Sequence, residues 1–327
     1  MAGNGRLMRA AGIETFGGEV QMLELAAPQS LAPDEVVIAV RAAGVGNWDE
    51  IVRVGGWDIG RQPPLVLGVE AAGVVVAVGE EVTSLPPGDE VLTHPLPLRH
   101  QGTWAERLVA PAALVARKPD AVPWETAAAF PVPALTADQA LSEVVPAPSG
   151  ESVLVHGAGG VTGGLVVQLA IRRGATVVAT AGPGSAARVR GYGAAAVFDY
   201  HDPGWPARVR EASHGGRGVG AAVNTAGGGA AAAIEAVADG GRLATITGDP
   251  PRPERGVTVA DVYVRADGAR LAALVAALHD GMLSLHLGAT VPLAEAAAAL
   301  QTASAGRASG ATVLTLSNSP EKLPQNH

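Results

Sequence analysis

The chain of 327 residues contains no cysteine. Disulfides, thiol nucleophiles and the Cys-rich class of zinc site are thereby excluded. Charged residues are sparse at 17%, against 48% hydrophobic, a balance that fits a globular protein with a full core and enough length for two domains. The formal net charge is −8 and no basic stripe runs along the sequence, so its field would draw neither nucleic acid nor an anionic membrane. No apolar run approaches the roughly 18 residues of a membrane span. Met1-Ala-Gly-Asn-Gly-Arg6 lacks the basic-then-apolar layout of a signal peptide, so the expected compartment is cytoplasmic. None of the eight histidines forms a His-x-x-x-His pair or has a carboxylate at ligand spacing, and no metal is expected. His94 and His100 bracket a proline-rich loop expected to be solvated, whereas His156 is expected to be packed and hydrogen-bonded.

One acid-free interval carries more information than any composition figure. Ser152-Val-Leu-Val-His-Gly-Ala-Gly-Gly-Val-Thr-Gly-Gly-Leu-Val-Val-Gln-Leu-Ala170 is an apolar β run that ends in glycines and passes into an amphipathic helix. Gly157, Gly160 and Gly163 allow a tight turn, backbone approach to a pyrophosphate and close helix packing, with Val161 and Thr162 opening the helix whose N-terminal N–H groups face the anion. A second β run, Ala175–Thr180, follows at the distance a βαβ unit requires. The spacing predicts a nicotinamide cofactor. A carboxylate after the second strand would bond a ribose 2′-hydroxyl, yet no Asp or Glu occurs between Glu151 and Asp199, and Arg188 and Arg190 lie just past the strand end. NADPH is therefore expected over NADH.

Residues up to about 126 read as short strands separated by turns, including Val36–Arg41, Gly73–Gly79, Glu90–Leu92 and Leu108–Ala110. Beyond Trp124, helices alternate with strands: a helix from Thr136 to Glu143, the βαβ unit, then strands at Val197–Phe198, Gly220–Asn224 and Gly241–Thr247. That alternation predicts an α/β fold with a doubly wound parallel sheet. Helices are expected at Gly268–Gly281 and Pro292–Ala303, a last strand at Gly310–Leu316, and a frayed tail from Ser317.

The order of several motifs resembles the medium-chain dehydrogenase/reductase superfamily, in its zinc-independent quinone oxidoreductase branch, over about residues 8–316. The resemblance rests on Leu65–Gly79, Gly88-Asp-Glu-Val91, Gly102-Thr-Trp-Ala-Glu106, Ala127–Ala137, the glycine loop, and Gly193-Ala194 followed by Asp199-Tyr200. It implies a GroES-like β-rich domain of residues 1–126 and 265–327, a Rossmann domain at 127–264, and an active site in a cleft. Zinc-dependent relatives have Gly-His-Glu where this chain has Gly68-Val69-Glu70, so zinc is not expected and alcohol oxidation fits poorly.

The same resemblance nominates Asn47, Asp49 and Trp57 as catalytic, with Asn47 bonding a substrate carbonyl or the cofactor ribose, and Asp49 pairing with Arg53 to hold the loop. The Asn lies one residue off the usual spacing, and a common tyrosine is replaced by Ile51. Without a phenol, the proton that follows hydride transfer would come from solvent. Cofactor contacts are expected from Thr136, which is otherwise a helix N-cap, from Tyr200 near the 2′-phosphate, and from the strand-end residues Thr180, Asn224 and Thr247. Ser185 stands where a lysine is common, as does Ala311, leaving the phosphate to Arg188 or Arg190. A small apolar quinone or enone is the expected substrate and a homodimer the expected assembly, with Gly256–Val264 as the pairing edge. An enoyl reductase of a biosynthetic pathway and a non-catalytic NADPH-binding sensor remain open.

Overall fold

The computed structural model describes residues 7–28, 30–145 and 150–316. These divide into two compact units: the described residues up to Val132 with Ala266–His279 and His286–Leu316, and the described residues of Pro133–Arg265 with Asp280–Leu285.

The first unit is β-rich. Its chain runs through β1 (Leu7–Ile13), β2 (Gln21–Ala26), β3 (Glu35–Val45), α1 (Asn47–Arg53), β4 (Leu65–Val66), β5 (Ala71–Val78), β6 (Glu90–Thr93), β7 (Arg107–Pro111), β8 (Val115–Arg117) and α2 (Trp124–Ala128). The spine is β3, eleven residues almost all buried, which pairs with β5 and β7 and so needs apolar side chains on both faces. Trp104 is fully buried and donates its indole N–H to the Gly44 carbonyl at 2.9 Å, satisfying the polar end of an otherwise apolar ring. Where β3 ends, Gly46 caps α1 and donates its N–H to Asp49 Oδ2 at 2.9 Å. The short helix thus starts on a turn closed by its own third residue.

The second unit carries α3 (Pro131–Val144), β9 (Ser152–His156), α4 (Val161–Arg172), β10 (Thr176–Thr180), α5 (Pro183–Gly191), β11 (Ala196–Phe198), α6 (Trp205–Ala212), β12 (Val219–Asn224), α7 (Ala230–Ala236), β13 (Val237–Thr245) and β14 (Thr258–Asp261). Its six strands are all parallel, in the order β11-β10-β9-β12-β13-β14. This is the doubly wound Rossmann sheet. The chain moves outward from β9 to β11 and then restarts on the other side at β12, so the topological switch lies between β9 and β12, where ligands of such sheets bind at the strands' carboxyl ends. One core under the sheet gathers Leu154, Val178, Trp205, Val209, Ile234, Leu243 and Val257.

The chain then returns to the β-rich unit with α8 (Gly268–His279), β15 (Leu287–Pro292), α9 (Ala296–Ser304) and β16 (Ala311–Thr315), and β16 pairs antiparallel with β3.

Several element boundaries differ from the sequence reading. The helix expected from Thr136 begins at Pro131, because prolines in a first turn forfeit no helical hydrogen bond, and Thr136 lies inside it rather than at its N-cap. The strand expected at Gly241–Thr247 runs instead from Val237 to Thr245, leaving Thr247 in the loop beyond. The last expected helix opens as a 3-10 turn at Leu293–Glu295. The division into units falls after Val132 because α2 packs on β3 and β5. Residues 280–285 join the parallel-sheet unit because Gln168 holds Ser284 through three hydrogen bonds. The N-terminal hexapeptide and the tail from Ser317 lie outside the described residues. Among the described residues no helix is long and apolar enough to cross a membrane.

Candidate active site and nucleotide crevice

The turn after β9 is fixed from both sides. Gly157 has φ +84°, a conformation costly for any residue with a Cβ. Its N–H donates to Thr180 Oγ1 at 3.1 Å, while its carbonyl accepts from Thr225 Oγ1 at 3.1 Å. A Cβ on Gly163 would collide with the Gly157 carbonyl and the Thr225 hydroxyl, so that glycine lets α4 approach the strand. Gly160 differs. It is the extended N-cap of α4, and a Cβ there would meet just one atom, the Gly157 carbonyl oxygen, at an ordinary 3.5 Å. The fold itself therefore does not require glycine at 160, and the space beside it, at the uncapped first turn formed by Val161 and Thr162, is a cradle that fits a dinucleotide pyrophosphate.

His156 is packed as expected, its ring stacked on Trp205 at 4.6 Å and its Nδ1 2.7 Å from Thr180 Oγ1. Burial pushes its pKa down to about 4, against a smaller upward pull from Asp249. Thr180 is itself fully buried, so its hydroxyl props the turn rather than facing outward.

Beyond β10 the expected phosphate residues sit close together. Arg188 donates from Nη2 to the Gly159 carbonyl at 2.8 Å, which docks its guanidinium on the glycine loop, and the Ser185 hydroxyl borders the same Gly159. Arg190, two residues along α5, is exposed. Tyr200 is half exposed against His201, with ring centroids 4.1 Å apart, and both border Gly182 at the N-cap of α5. His201, which sequence reasoning did not single out, pairs with Asp199 at 2.7 Å. Past the switch point, Asn224 is buried and donates from Nδ2 to Thr245 and Thr247, each at 3.0 Å. Thr136 is largely buried in α3.

In the β-rich unit, Asn47 is exposed at the first turn of α1 and Trp57 is partly buried after it. Two expectations fail here. Asp49 does not pair with Arg53: Arg53 is held by Glu50 at 2.7 Å and by the Gly18 carbonyl, while Asp49 turns inward and is completely buried. Burial pushes the Asp49 carboxyl up to about 8, although the Gly46 and Gly68 N–H groups pull the other way. Glu70, equally buried, is raised well above the carboxylate range, mainly by burial and also by the charge of Asp49, while the Val132 N–H that it accepts opposes this. His94 is not solvated either. It is buried, its Nδ1–H donates to the Val69 carbonyl at 2.7 Å, and its pKa is lowered to about 4 by burial. The proline-rich loop folds inward here with one ring nitrogen on a backbone carbonyl and Nε2 buried without a partner among the described residues. His100, by contrast, reaches Glu35 at 3.1 Å.

Comparison with known proteins decides the family. Residues 32–120 match the alcohol dehydrogenase GroES-like domain and residues 192–314 match the zinc-binding dehydrogenase model. A solved NAD-dependent alcohol dehydrogenase is 31% identical, with 95% of this chain and all of that chain covered and a TM-score of 0.85. The chain belongs to the medium-chain dehydrogenase/reductase superfamily. A quinone oxidoreductase homologue and dehydrogenase structural neighbours support an oxidoreductase over the non-catalytic reading. A mycobacterial relative of this superfamily solved with NADPH is 29% identical, with 95% of this chain and all of that one covered and a TM-score of 0.81. The quinone oxidoreductase of Lama guanicoe is 36% identical over 192 residues, 58% of this chain and 57% of that protein. The erythronolide synthase EryA2 of Saccharopolyspora erythraea is 38% identical over 202 residues, 60% of this chain but 5% of its own length. The chain thus spans a small fraction to about half of these two relatives.

The family description raises zinc, and the donors do not fit it. Val69 stands, fully buried, where the resemblance puts a histidine, and no cysteine exists. Among the described residues no group of three or more His, Cys, Asp or Glu is placed to hold a metal.

The buried Asp49 of this reductase-family chain yields a stability prediction. Its folded pKa lies above that of an unfolded Asp, about 3.9, so the folded state binds the extra proton in between. Its contribution is complete below pH 4 and is lost as pH rises through about 8. Asp49→Asn is expected to flatten the decline in unfolding free energy between pH 5 and 8. Urea titrations at several pH values check this, and parallel pH profiles for variant and parent would overturn it.

Proposed function

We propose that the protein is a zinc-independent, NADPH-dependent reductase of quinones or α,β-unsaturated carbonyls. The observation that carries the nucleotide part is Gly160, a glycine that the fold does not need and that a pyrophosphate does. A bound nicotinamide would supply a hydride. The N–H groups that open α4 hold the pyrophosphate, and Arg188, docked beside the loop, presents its remaining donors to a 2′-phosphate, with Ser185 and Tyr200 alongside. In this reading the exposed Asn47 amide orients a substrate carbonyl, and the half-exposed Ile51 supplies apolar surface on the same helix.

Similarity to the erythronolide synthase favours a second reading, an enoyl reductase. Products separate the two. NADPH oxidation with 9,10-phenanthrenequinone should yield the hydroquinone, whereas an enoyl thioester should yield the saturated thioester if the second reading holds. Activity should persist in chelator with no stoichiometric zinc, and one equivalent of zinc per chain by metal analysis would sink the zinc-independent reading.

Gly160→Val should abolish NADPH binding while leaving the melting temperature near that of the parent, since the new side chain enters open space and the residue is already extended. Unchanged NADPH affinity by fluorescence titration would remove the cradle. For the 2′-phosphate, Arg188→Ala should weaken NADPH by at least about tenfold, the loss expected for a hydrogen bond to a charged group. NADH should change little, and so should NADPH binding to Arg190→Ala. Equal weakening of both cofactors by Arg188→Ala would reduce Arg188 to a prop for the Gly159 carbonyl.

A further inference from the structure

Resting on the nucleotide reading above, we infer that Asp249 takes the vicinal hydroxyls of the nicotinamide ribose. The residue follows β13 by way of Gly248, whose φ of +67° turns the chain so that the Asp249 carboxylate comes back onto the strand end. There Oδ1 accepts from Thr245 Oγ1 at 3.1 Å and makes a short hydrogen bond with Thr247 Oγ1. Thr245 and Thr247 are in turn bonded to the Asn224 amide, whose Oδ1 accepts the Ala226 N–H at 3.2 Å. The carboxylate is therefore oriented through a buried network from the ends of β12 and β13. Its Oδ2 has no hydrogen-bond partner among the described residues, and the residue is partly exposed.

Position selects the ligand. The glycine loop sits at the switch between β9 and β12, and Arg188, Ser185 and Tyr200 lie on the β10 and β11 side of it. A dinucleotide laid across a switch point with its adenosine there must put its other half over β12 and β13. That half offers a ribose diol, two donors that a carboxylate oxygen accepts well, whereas a phosphate would be repelled. His156, whose pKa Asp249 pulls upward, is nevertheless lowered to about 4 by burial and does not neutralise the carboxylate. Sugar hydroxyls are thus the class of group that the site fits.

The test compares whole cofactor with its adenosine fragment. NADPH and adenosine 2′,5′-bisphosphate, with NADH and ADP in parallel, are titrated calorimetrically into the parent protein, Asp249→Ala and Asp249→Asn. Asp249→Ala should weaken NADPH at least about tenfold while leaving the bisphosphate within about twofold, with Asp249→Asn in between. Unchanged or tighter NADPH binding would overturn the inference, the latter showing a carboxylate that merely repels the pyrophosphate. Equal weakening of NADPH and the bisphosphate would overturn it too, because the network would then only brace the crevice. A parent protein that binds none of the four would bring down the nucleotide reading and this inference together. Preference for NADH and ADP would bring down only the 2′-phosphate assignment, and the Asp249 comparison would then be read on that pair.

Discussion

Everything chemical in the parallel-sheet unit depends on how Gly157 is held. Its N–H is taken by a hydroxyl from β10 and its carbonyl by a hydroxyl just past β12, so the turn after β9 is tied to its neighbouring strand on each side of the switch point. Thr180 in turn leans on His156, and His156 on Trp205, which lies in the main core. The loop is thereby part of the packed interior although its only side chain is the buried methyl of Ala158. Such preorganisation matters because a site that must order its backbone on binding gives up affinity to do so. Burial also makes this His a poor base, since it lowers the pKa to about 4, and its Nδ1 is already bonded to the Thr180 hydroxyl.

The β-rich unit poses the opposite case, with polar groups buried where no ion compensates them. Asp49 and Glu70 are both nearly inaccessible and close enough for the charge of one to raise the other. Ionising both would place two charges in the interior, so burial pushes both carboxyls toward their protonated forms. Val69, between the Gly68 that faces Asp49 and Glu70 itself, fills with methyl groups the position that the superfamily resemblance gives to an imidazole. The two carboxyl groups serve as hydrogen-bonding struts: Asp49 closes the start of α1 and Glu70 accepts the Val132 N–H.

Much of the fold was legible because apolar periodicity and glycine spacing report backbone needs directly. The βαβ unit and the alternation of helices with parallel strands were readable this way, although the β-rich unit runs on past residue 124 to Val132. Side-chain direction was not. Asp49 and Arg53, four apart on a helix, have the right spacing for a surface ion pair, yet burial of one face sent Asp49 inward and left Arg53 to Glu50, three residues before it. His94 lay among prolines that suggest an exposed loop, and nothing local announced that the Val69 carbonyl, 25 residues earlier in sequence, would receive it.

Asp249 illustrates the remaining limit. A Thr-Gly-Asp sequence after a strand has no fixed meaning, since the direction of the carboxylate depends on whether the glycine adopts positive φ. Once it does, the acid returns to the very strand end that carries the Thr hydroxyls, and its charge lies on the half of the crevice opposite Arg188. The crevice then has a polarity along its length, cationic beyond β10 and anionic beyond β13. A ligand with a phosphate at one end and only hydroxyls at the other satisfies both, and in the reverse orientation it would set phosphate against carboxylate. On the proposed reading, Arg188 and Asp249 together would favour one orientation of a bound dinucleotide over the other.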